Sequence, residues 1–91
     1  MNASELRLDK WLWHARFVRT RDKAAELIQE RKVRINGQLA TKLHHKLRLG
    51  DVIVLNDPRA IRVMRVRGLG LRRGSATDAV ELYETLAVET A

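Results

Sequence analysis

The sequence predicts an α+β fold, in which two N-terminal helices pack on a small, mostly antiparallel sheet and a short C-terminal helix follows. Up to residue 30, apolar residues recur at the period of a helix, whereas those from residue 33 onward alternate as in a strand. The Asn36-Gly37 pair is the strongest short signal for a hairpin, because a type I′ turn needs two residues at positive φ. The length of 91 residues corresponds to one domain.

The first helix is predicted over residues 7–17, where Asp9 in the first turn suits the helix dipole. Its buried face comprises Leu8, Trp11, Leu12 and Ala15. The second helix is predicted over residues 21–30, with Thr20 as the N-cap that accepts a bond from a free backbone N–H. Its buried face comprises Ala24, Leu27 and Ile28. The short connection makes the two helices a compact pair.

Four strands are predicted after the helices. Residues 33–35 and 38–40 flank the first turn, residues 52–55 form a buried strand, and residues 61–67 form the next. The last strand keeps its apolar residues on one face only if a bulge lies near Met64. The apolar residues concerned are Ile61, Val63 and Val66.

The C-terminal segment is predicted to be a loop at residues 68–76 and an acidic helix within residues 75–91 that packs on the same domain. Either Ser75 or Thr77 caps this helix, and Asp78 follows Ser75 at the spacing of a capping box. The apolar stripe of this helix comprises Ala79, Leu82, Tyr83 and Leu86.

Charge is divided unequally along the chain, which has a formal net charge of +7 and a pI near 10.8. All 18 lysines and arginines precede residue 75, and the same stretch contains seven acidic residues. The last 17 residues carry four acidic residues and no basic one. This division predicts a basic body, residues 1–74, that binds a polyanion, with an acidic appendage.

Several classes of protein are not expected from the composition. There is no cysteine and no apolar run of the ~18 residues that cross a membrane, and charges at Arg7, Asp9 and Lys10 interrupt any signal peptide. We expect a cytoplasmic protein that does not enter membranes. His44 and His45 point apart and lack acidic neighbours, so no metal is expected. No catalytic constellation or phosphate-binding glycine motif is present, so neither a cofactor nor an enzyme is expected.

The order and spacing of several short motifs resemble the S4 RNA-binding domain over about residues 6–56. The motifs are Arg7-Leu8-Asp9-Lys10-Trp11-Leu12, Thr20-Arg21, Lys32-Val33-Arg34-Ile35-Asn36-Gly37 and Gly50-Asp51. The resemblance implies that residues 1–74 form an S4-type domain, whose two helices are the αL-type motif that binds structured RNA. The sequence has Arg31 where the family usually has glycine, so this residue either adopts positive φ or the helix ends differently. It also has Leu43 where the family commonly has proline after Lys42.

A narrower resemblance, to the bacterial heat-shock S4 proteins, rests on residues 11–17 and on the tyrosine-containing C-terminal segment. It implies binding to ribosomal RNA on the large ribosomal subunit, with rescue or recycling of stalled subunits that carry peptidyl-tRNA. The alternatives are a generic RNA-binding or tRNA-binding module and a protein-interaction module. We expect a monomer whose binding to DNA is non-specific.

The predicted RNA-binding surface lies on the outer side of the two helices. Lys10 and His14 are expected to point outward from the first helix, and Arg21 opens the second helix, where free N–H groups favour phosphate. The alternative is that these charges are merely solvated. The full predicted set is Arg7, Lys10, His14, Arg19, Thr20, Arg21, Lys23, Lys32, Arg34 and Lys42.

Trp13 and Phe17 share a second side of the first helix, four residues apart. They form either a stacking platform for unpaired bases or a second apolar contact with the C-terminal helix. We favour the second interpretation, since exposed aromatic side chains are unfavourable unless they are used. Later arginines form either a second basic strip or a protection of strand edges. They are Arg62, Arg65, Arg67, Arg72 and Arg73.

Overall fold

The computed structural model describes residues 4–90, and it confirms the predicted α+β class. The predictions that concern residues 1–3 and 91 lie outside this range. The helices are α1 (Leu8–His14), α2 (Arg21–Gln29) and α3 (Ala76–Ala79), which a 3-10 turn (Val80–Leu82) extends. The strands are β1 (Glu5–Arg7), β2 (Val33–Ile35), β3 (Gln38–Leu39), β4 (Lys46–Arg48), β5 (Val52–Asp57), β6 (Ala60–Val66) and β7 (Tyr83–Thr90).

Two antiparallel sheets organise the chain. The larger sheet has the strand order β3-β2-β5-β6-β7, and the smaller one pairs β1 with β4. The sequence analysis missed the smaller sheet, because three-residue strands carry almost no periodic signal. This sheet matters for the site, since β1 leads directly into α1 at Arg7.

The core lies between the two N-terminal helices and one face of the larger sheet. Leu8, Trp11 and Leu12 are completely buried, which confirms the predicted inner face of α1. Ile53 and Met64 meet them from the sheet. The indole Nε1 of Trp11 also donates a hydrogen bond of 2.8 Å to the carbonyl of Gly68, which ties α1 to the chain that leaves β6.

Both N-terminal helices end with an arginine in the left-handed conformation. Arg16 has φ of 63° and Arg31 has φ of 62°. After α1, the N–H of Phe17 donates to the carbonyl of Leu12 and that of Arg16 to Trp13, which is a Schellman motif. The same two bonds recur one helix later around Arg31. Arg31 therefore adopts the positive φ for which glycine is usual.

The first hairpin turn forms as predicted. Asn36 and Gly37 have φ of 51° and 85°, both positive as a type I′ turn requires. The Asn36 amide also accepts from the N–H of Val52 at 2.9 Å and donates to Asp51 at 3.1 Å. Asn36 is therefore occupied by structural bonds.

An irregularity lies next to Met64, as predicted, but on the neighbouring strand. Val63 pairs with Ala87 and Met64 with Thr85, so Leu86 of β7 is the extra residue. The pairing of β6 with β5 runs without interruption.

The predicted apolar face of β6 is wrong. Met64 and Val66 are buried together with Ala60, whereas Ile61 is 38% exposed. Strict alternation holds because the bulge is in the partner strand, so Ile61 and Val63 share the opposite face of the sheet.

The C-terminal helix is present but much shorter than predicted. The capping box is formed, since Ser75 Oγ accepts from the N–H of Asp78 and the Asp78 carboxylate accepts from the N–H of Ser75. The helical extension through Leu86 is wrong, because Tyr83–Thr90 forms β7. The free edge of β6 offers this segment a full ladder of hydrogen bonds, which outweighs its weak helical periodicity.

Candidate nucleic-acid interface

A buried carboxylate lies at the start of α1. Asp9 is only 4% exposed, and it accepts bonds from Arg7 Nε and Nη2 at 3.1 and 2.9 Å. Arg21 Nη2 of α2 lies 3.6 Å from the same carboxylate, and the backbone N–H of Lys10 donates to it at 2.8 Å. One acid therefore fixes two arginines that remain nearly half-exposed, at the point where α1 and α2 meet.

This role of Asp9 was missed in the sequence, where the residue looked like a helix-dipole acid. A local signal did exist, since Asp9 lies beside the buried stripe, one position from Leu8 and three from Leu12. The pairing with Arg21 is not local, and it depends on how the two helices pack.

The N-terminus of α2 is open to solvent. The Oγ1 of Thr20 accepts from the N–H of Lys23 at 3.1 Å, so Thr20 is the N-cap as predicted. Within residues 4–90, no group accepts from the N–H of Arg21 or Asp22. These donors and the positive pole of the helix lie beside the arginines that Asp9 holds.

The N-terminus of α1, by contrast, is covered. Its N–H groups at Leu8 and Asp9 donate to the carbonyls of His45 and Leu43, at 2.8 and 3.2 Å. These two bonds dock the 41–45 loop on the start of α1, and Lys42, which precedes Leu43, is exposed. We use the term cationic face for a set of six residues. They are Arg7, Lys10, Thr20, Arg21, Lys23 and Lys42.

His14 does not belong to this surface, and the predicted outward orientation is wrong. The residue is 1% exposed, because the chain after β6 folds over α1. Its Nδ1 donates to the carbonyl of Leu69 at 3.1 Å. Burial lowers the pKa of His14, the bond to Leu69 opposes this, and the charges of Lys10 and Arg21 lower the pKa further. The imidazole is therefore neutral at pH 7 and gives a phosphate no charge.

The other predicted site residues are exposed or half-exposed, but they do not form one surface. Arg34 lies between buried Val33 and Ile35 in β2. Its side chain is therefore on the face of the sheet opposite to the helices. Arg19 lies in the connection before α2, and Lys32 lies just after it. The structure brings Arg7 and Arg21 together on Asp9. Lys23 forms an ion pair with Glu26, and Lys32 lies beyond the C-terminal end of α2, where it lines a groove together with Arg34.

The aromatic pair packs against the rest of the chain. The Phe17 ring lies 4.7 Å from that of Tyr83 and 6.0 Å from that of Trp11. Trp13 is covered by the guanidinium of Arg73, 5.9 Å from its ring centre. The favoured interpretation, contact with the C-terminal segment, therefore fits Phe17, although its partner belongs to a strand.

Among residues 4–90, no helix is long and apolar enough to cross a membrane.

Comparison with known proteins agrees with this architecture. The family model described as S4 domain matches residues 6–53, the part of the chain that contains both long helices and the first hairpin. The chain therefore belongs to the S4-domain family, whose domain is an RNA-binding module.

The particular S4 proteins that it resembles are heat shock proteins. It is 40% identical over 85 residues to heat shock protein 15 of Escherichia coli (strain K12), covering 93% of this chain and 63% of that protein. It is 36% identical over 84 residues to the heat shock protein 15 homolog of Haemophilus influenzae, covering 92% and 63%. The chain thus spans less than two thirds of the length of the curated relatives it matches.

A solved structure gives the same result. The trimeric structure of Vibrio cholerae heat shock protein 15 superposes with a TM-score of 0.84 at 35% sequence identity, covering 91% of this chain and 83% of that one. The predicted resemblance to the heat-shock S4 proteins and the predicted fold class are confirmed.

Proposed function

We propose that the protein binds structured ribosomal RNA through the cationic face. The observation that carries this proposal is the Asp9 carboxylate, which holds Arg7 and Arg21 side by side next to the open N-terminus of α2. Arginines held in a fixed geometry lose little entropy when they bind phosphate. The carboxylate occupies only one side of each guanidinium, so donors remain for an RNA backbone.

The shape of this surface suits RNA helices. A-form RNA hides its base edges in a deep and narrow major groove, so proteins read its phosphates, its 2′-hydroxyls and the shape of its junctions. Two short helices that present fixed charges at their meeting point can follow such a backbone. The proposed contact residues are the cationic face, flanked by Arg19, with Lys32 and Arg34 on a separate surface.

Similarity to proteins named heat shock protein 15 supports a finer proposal. We propose association with the large ribosomal subunit in the bacterial cytoplasm, where the protein acts on stalled subunits that carry peptidyl-tRNA. The proposed role is binding, not catalysis. The Vibrio cholerae relative is described as a trimer, so size-exclusion chromatography with light scattering tests whether the expected monomer applies to this chain.

Co-sedimentation with purified small subunits, large subunits and intact ribosomes tests the proposal. We expect retention on free large subunits and a steep loss with salt, because about five phosphate contacts give log K a slope near −4 against log salt. Equal retention on all particles would contradict the subunit preference and leave a generic RNA-binding module. No retention even at low salt would contradict ribosomal RNA as the ligand.

A further inference from the structure

A second basic region lies at the C-terminal end of α1. A cleft with a volume of about 340 Å³ opens there between the end of α1, the helical turn of α3 and the far ends of β5 and β6. This volume is within the range of sites that hold a small organic ligand. The sequence left open that Phe17 is a stacking surface, but the cleft itself was not predicted, because its walls come from four separate segments of the chain.

One wall of the cleft is aromatic. Phe17 and Tyr83 both line it, with ring centres 4.7 Å apart and ring planes inclined by 49°. Both side chains are half-buried, so part of each ring is held by the core and part remains accessible. Aromatic rings fixed in this way are the surfaces on which nucleic-acid bases stack.

The remaining walls carry three arginines. Arg62 is half-buried on the helix-facing side of the sheet, where its register partner in β5 is the core residue Leu55. Within residues 4–90, no hydrogen-bond acceptor or acidic partner contacts the Arg62 side chain. Arg16 is fixed by its left-handed backbone and by a bond of 2.8 Å from Nη1 to the carbonyl of Gly74.

A single acid faces these arginines. Asp57 lies 3.7 Å from the Nε of Arg59 and also accepts from the backbone N–H of Arg59 at 2.9 Å. It is therefore engaged by Arg59, and the cleft keeps two guanidinium groups, from Arg16 and Arg62, without an acidic partner. Arg16 is exposed, whereas the guanidinium of Arg62 is half-buried without a counter-charge, so an anion in the cleft would mainly compensate Arg62.

We propose that this cleft binds an unpaired nucleotide of the RNA, with the base against Phe17 and Tyr83 and a flanking phosphate on Arg62 and Arg16. The inference rests on the proposed function, since the cationic face holds the paired part of the same RNA. The cleft and the cationic face are close enough to bind one RNA molecule, because α1 rises only about 10 Å over its seven residues. The protein therefore discriminates between RNA helices that have and lack an extruded base.

Two RNA hairpins that differ only in one bulged uridine test this inference. The wild-type chain is expected to bind the bulged hairpin about 10-fold more tightly, which lies within the range measured for stacking of a single base. Arg62→Gln should reduce that preference to about 3-fold or less and leave the affinity for the fully paired hairpin within about 2-fold. Arg65→Gln is the matched control, because it removes the same charge from the same strand on the other face of the sheet.

The outcomes separate the cleft from the proposed function. Equal binding of both hairpins by the wild-type chain would overturn the cleft and leave RNA binding by the cationic face intact. Loss of the preference in Arg65→Gln as well as in Arg62→Gln would also overturn the cleft, because charge alone would explain it. Binding of neither hairpin would overturn the proposed function and this inference together.

Photo-crosslinking gives an independent result that needs no variant. With 5-iodouridine at the bulge, we expect the adduct on the peptide that contains Phe17 or Tyr83. An adduct confined to the cationic face would overturn the cleft.

Discussion

Two pairs of arginines in this chain share one carboxylate each, but they differ in burial. Arg7 and Arg21 share Asp9, whose side chain is 6% exposed, at 2.9 and 3.6 Å. A second pair shares Glu84, whose side chain is 43% exposed, at 3.4 and 3.9 Å. The second pair is Arg65 and Arg67.

The two groups therefore differ in how firmly their arginines are held. A buried carboxylate keeps its partners in one geometry, because releasing them would leave a charge in a poorly solvated place. An exposed pair is screened by solvent and salt, and it contributes little to either stability or order. Both groups are basic and accessible, but only the Asp9 group is held in position.

Charge reversal at Arg21 and nearby Lys10, compared with charge reversal at Arg65 and Arg67, should give the largest contrast. Lys10→Glu together with Arg21→Glu should weaken binding to ribosomal RNA by about 100-fold or more, because two charge-assisted contacts become repulsive. Arg65→Glu with Arg67→Glu changes the net charge equally and should weaken binding by less than about 10-fold. Filter binding at fixed salt measures both, and circular dichroism checks that each variant is folded. Equal losses would show that charge alone matters and would contradict the assigned face.

Neutralising the shared acid should have a smaller effect on RNA binding, and in the direction opposite to that expected from net charge. Asp9→Asn makes the protein more positive, yet we expect about 10-fold weaker RNA binding, because Arg7 and Arg21 lose their common anchor. Stability should fall by about 2 kcal/mol, a value kept low because both arginines are partly solvated. The control Glu84→Gln adds the same charge and should leave binding unchanged or slightly tighter. Tighter binding by Asp9→Asn would contradict the positioning role.

The burial of His14 makes the stability of the protein depend on pH. Its folded-state pKa is lowered, chiefly by burial, so the unfolded chain binds more protons below the ordinary pKa of 6.5. Stability should therefore be full above that value and fall as the pH drops towards the folded-state pKa. Urea unfolding at about pH 7.5 and about pH 5 measures the loss, and His14→Gln should reduce it. The exposed His44→Gln serves as the control, and a loss that is the same in His14→Gln and the wild type would contradict this assignment.

Substitution of Arg31 should have the smallest effect on stability. This arginine differs from the two pairs in that its backbone adopts a left-handed conformation. Its left-handed φ costs about 1–2 kcal/mol for a non-glycine residue. A glycine would remove this cost, but it would lose more conformational entropy on folding, which offsets part of the gain. Arg31→Gly should therefore raise stability by about 0.5–1 kcal/mol and leave RNA binding nearly unchanged. Arg31→Ala keeps the strain and should bring no gain. A stabilisation of the same size in both variants would contradict the strain argument.

Local patterns in the sequence were sufficient for the helical pair and the first turn. The inner face of α1 follows from the spacing of Leu8, Trp11 and Leu12, since helix geometry alone sets which residues lie side by side. Asn36-Gly37 is equally local, because the turn depends on two consecutive φ angles. These parts lie within the stretch that matches the S4 domain.

Other features could not be read from local patterns. His14 lies on the side of α1 away from the main apolar stripe, and only the chain at Leu69, 55 residues later, buries it. The 83–90 segment has a weak helical stripe, but pairing with β6 makes it a strand. The sharing of Asp9 between Arg7 and Arg21 requires the packing angle of α1 and α2, which no spacing within one helix specifies.

The fold class, the division of charge along the chain and all six residues of the cationic face could thus be predicted without coordinates. Helix period, turn chemistry and charge distribution act over a few residues, and they can be read without coordinates. Tertiary packing, by contrast, sets which cations share a carboxylate, which histidine is withdrawn from solvent and where a cleft opens beside Tyr83. Those properties arise where segments distant in sequence meet, because burial and the sharing of a carboxylate depend on what packs against a residue.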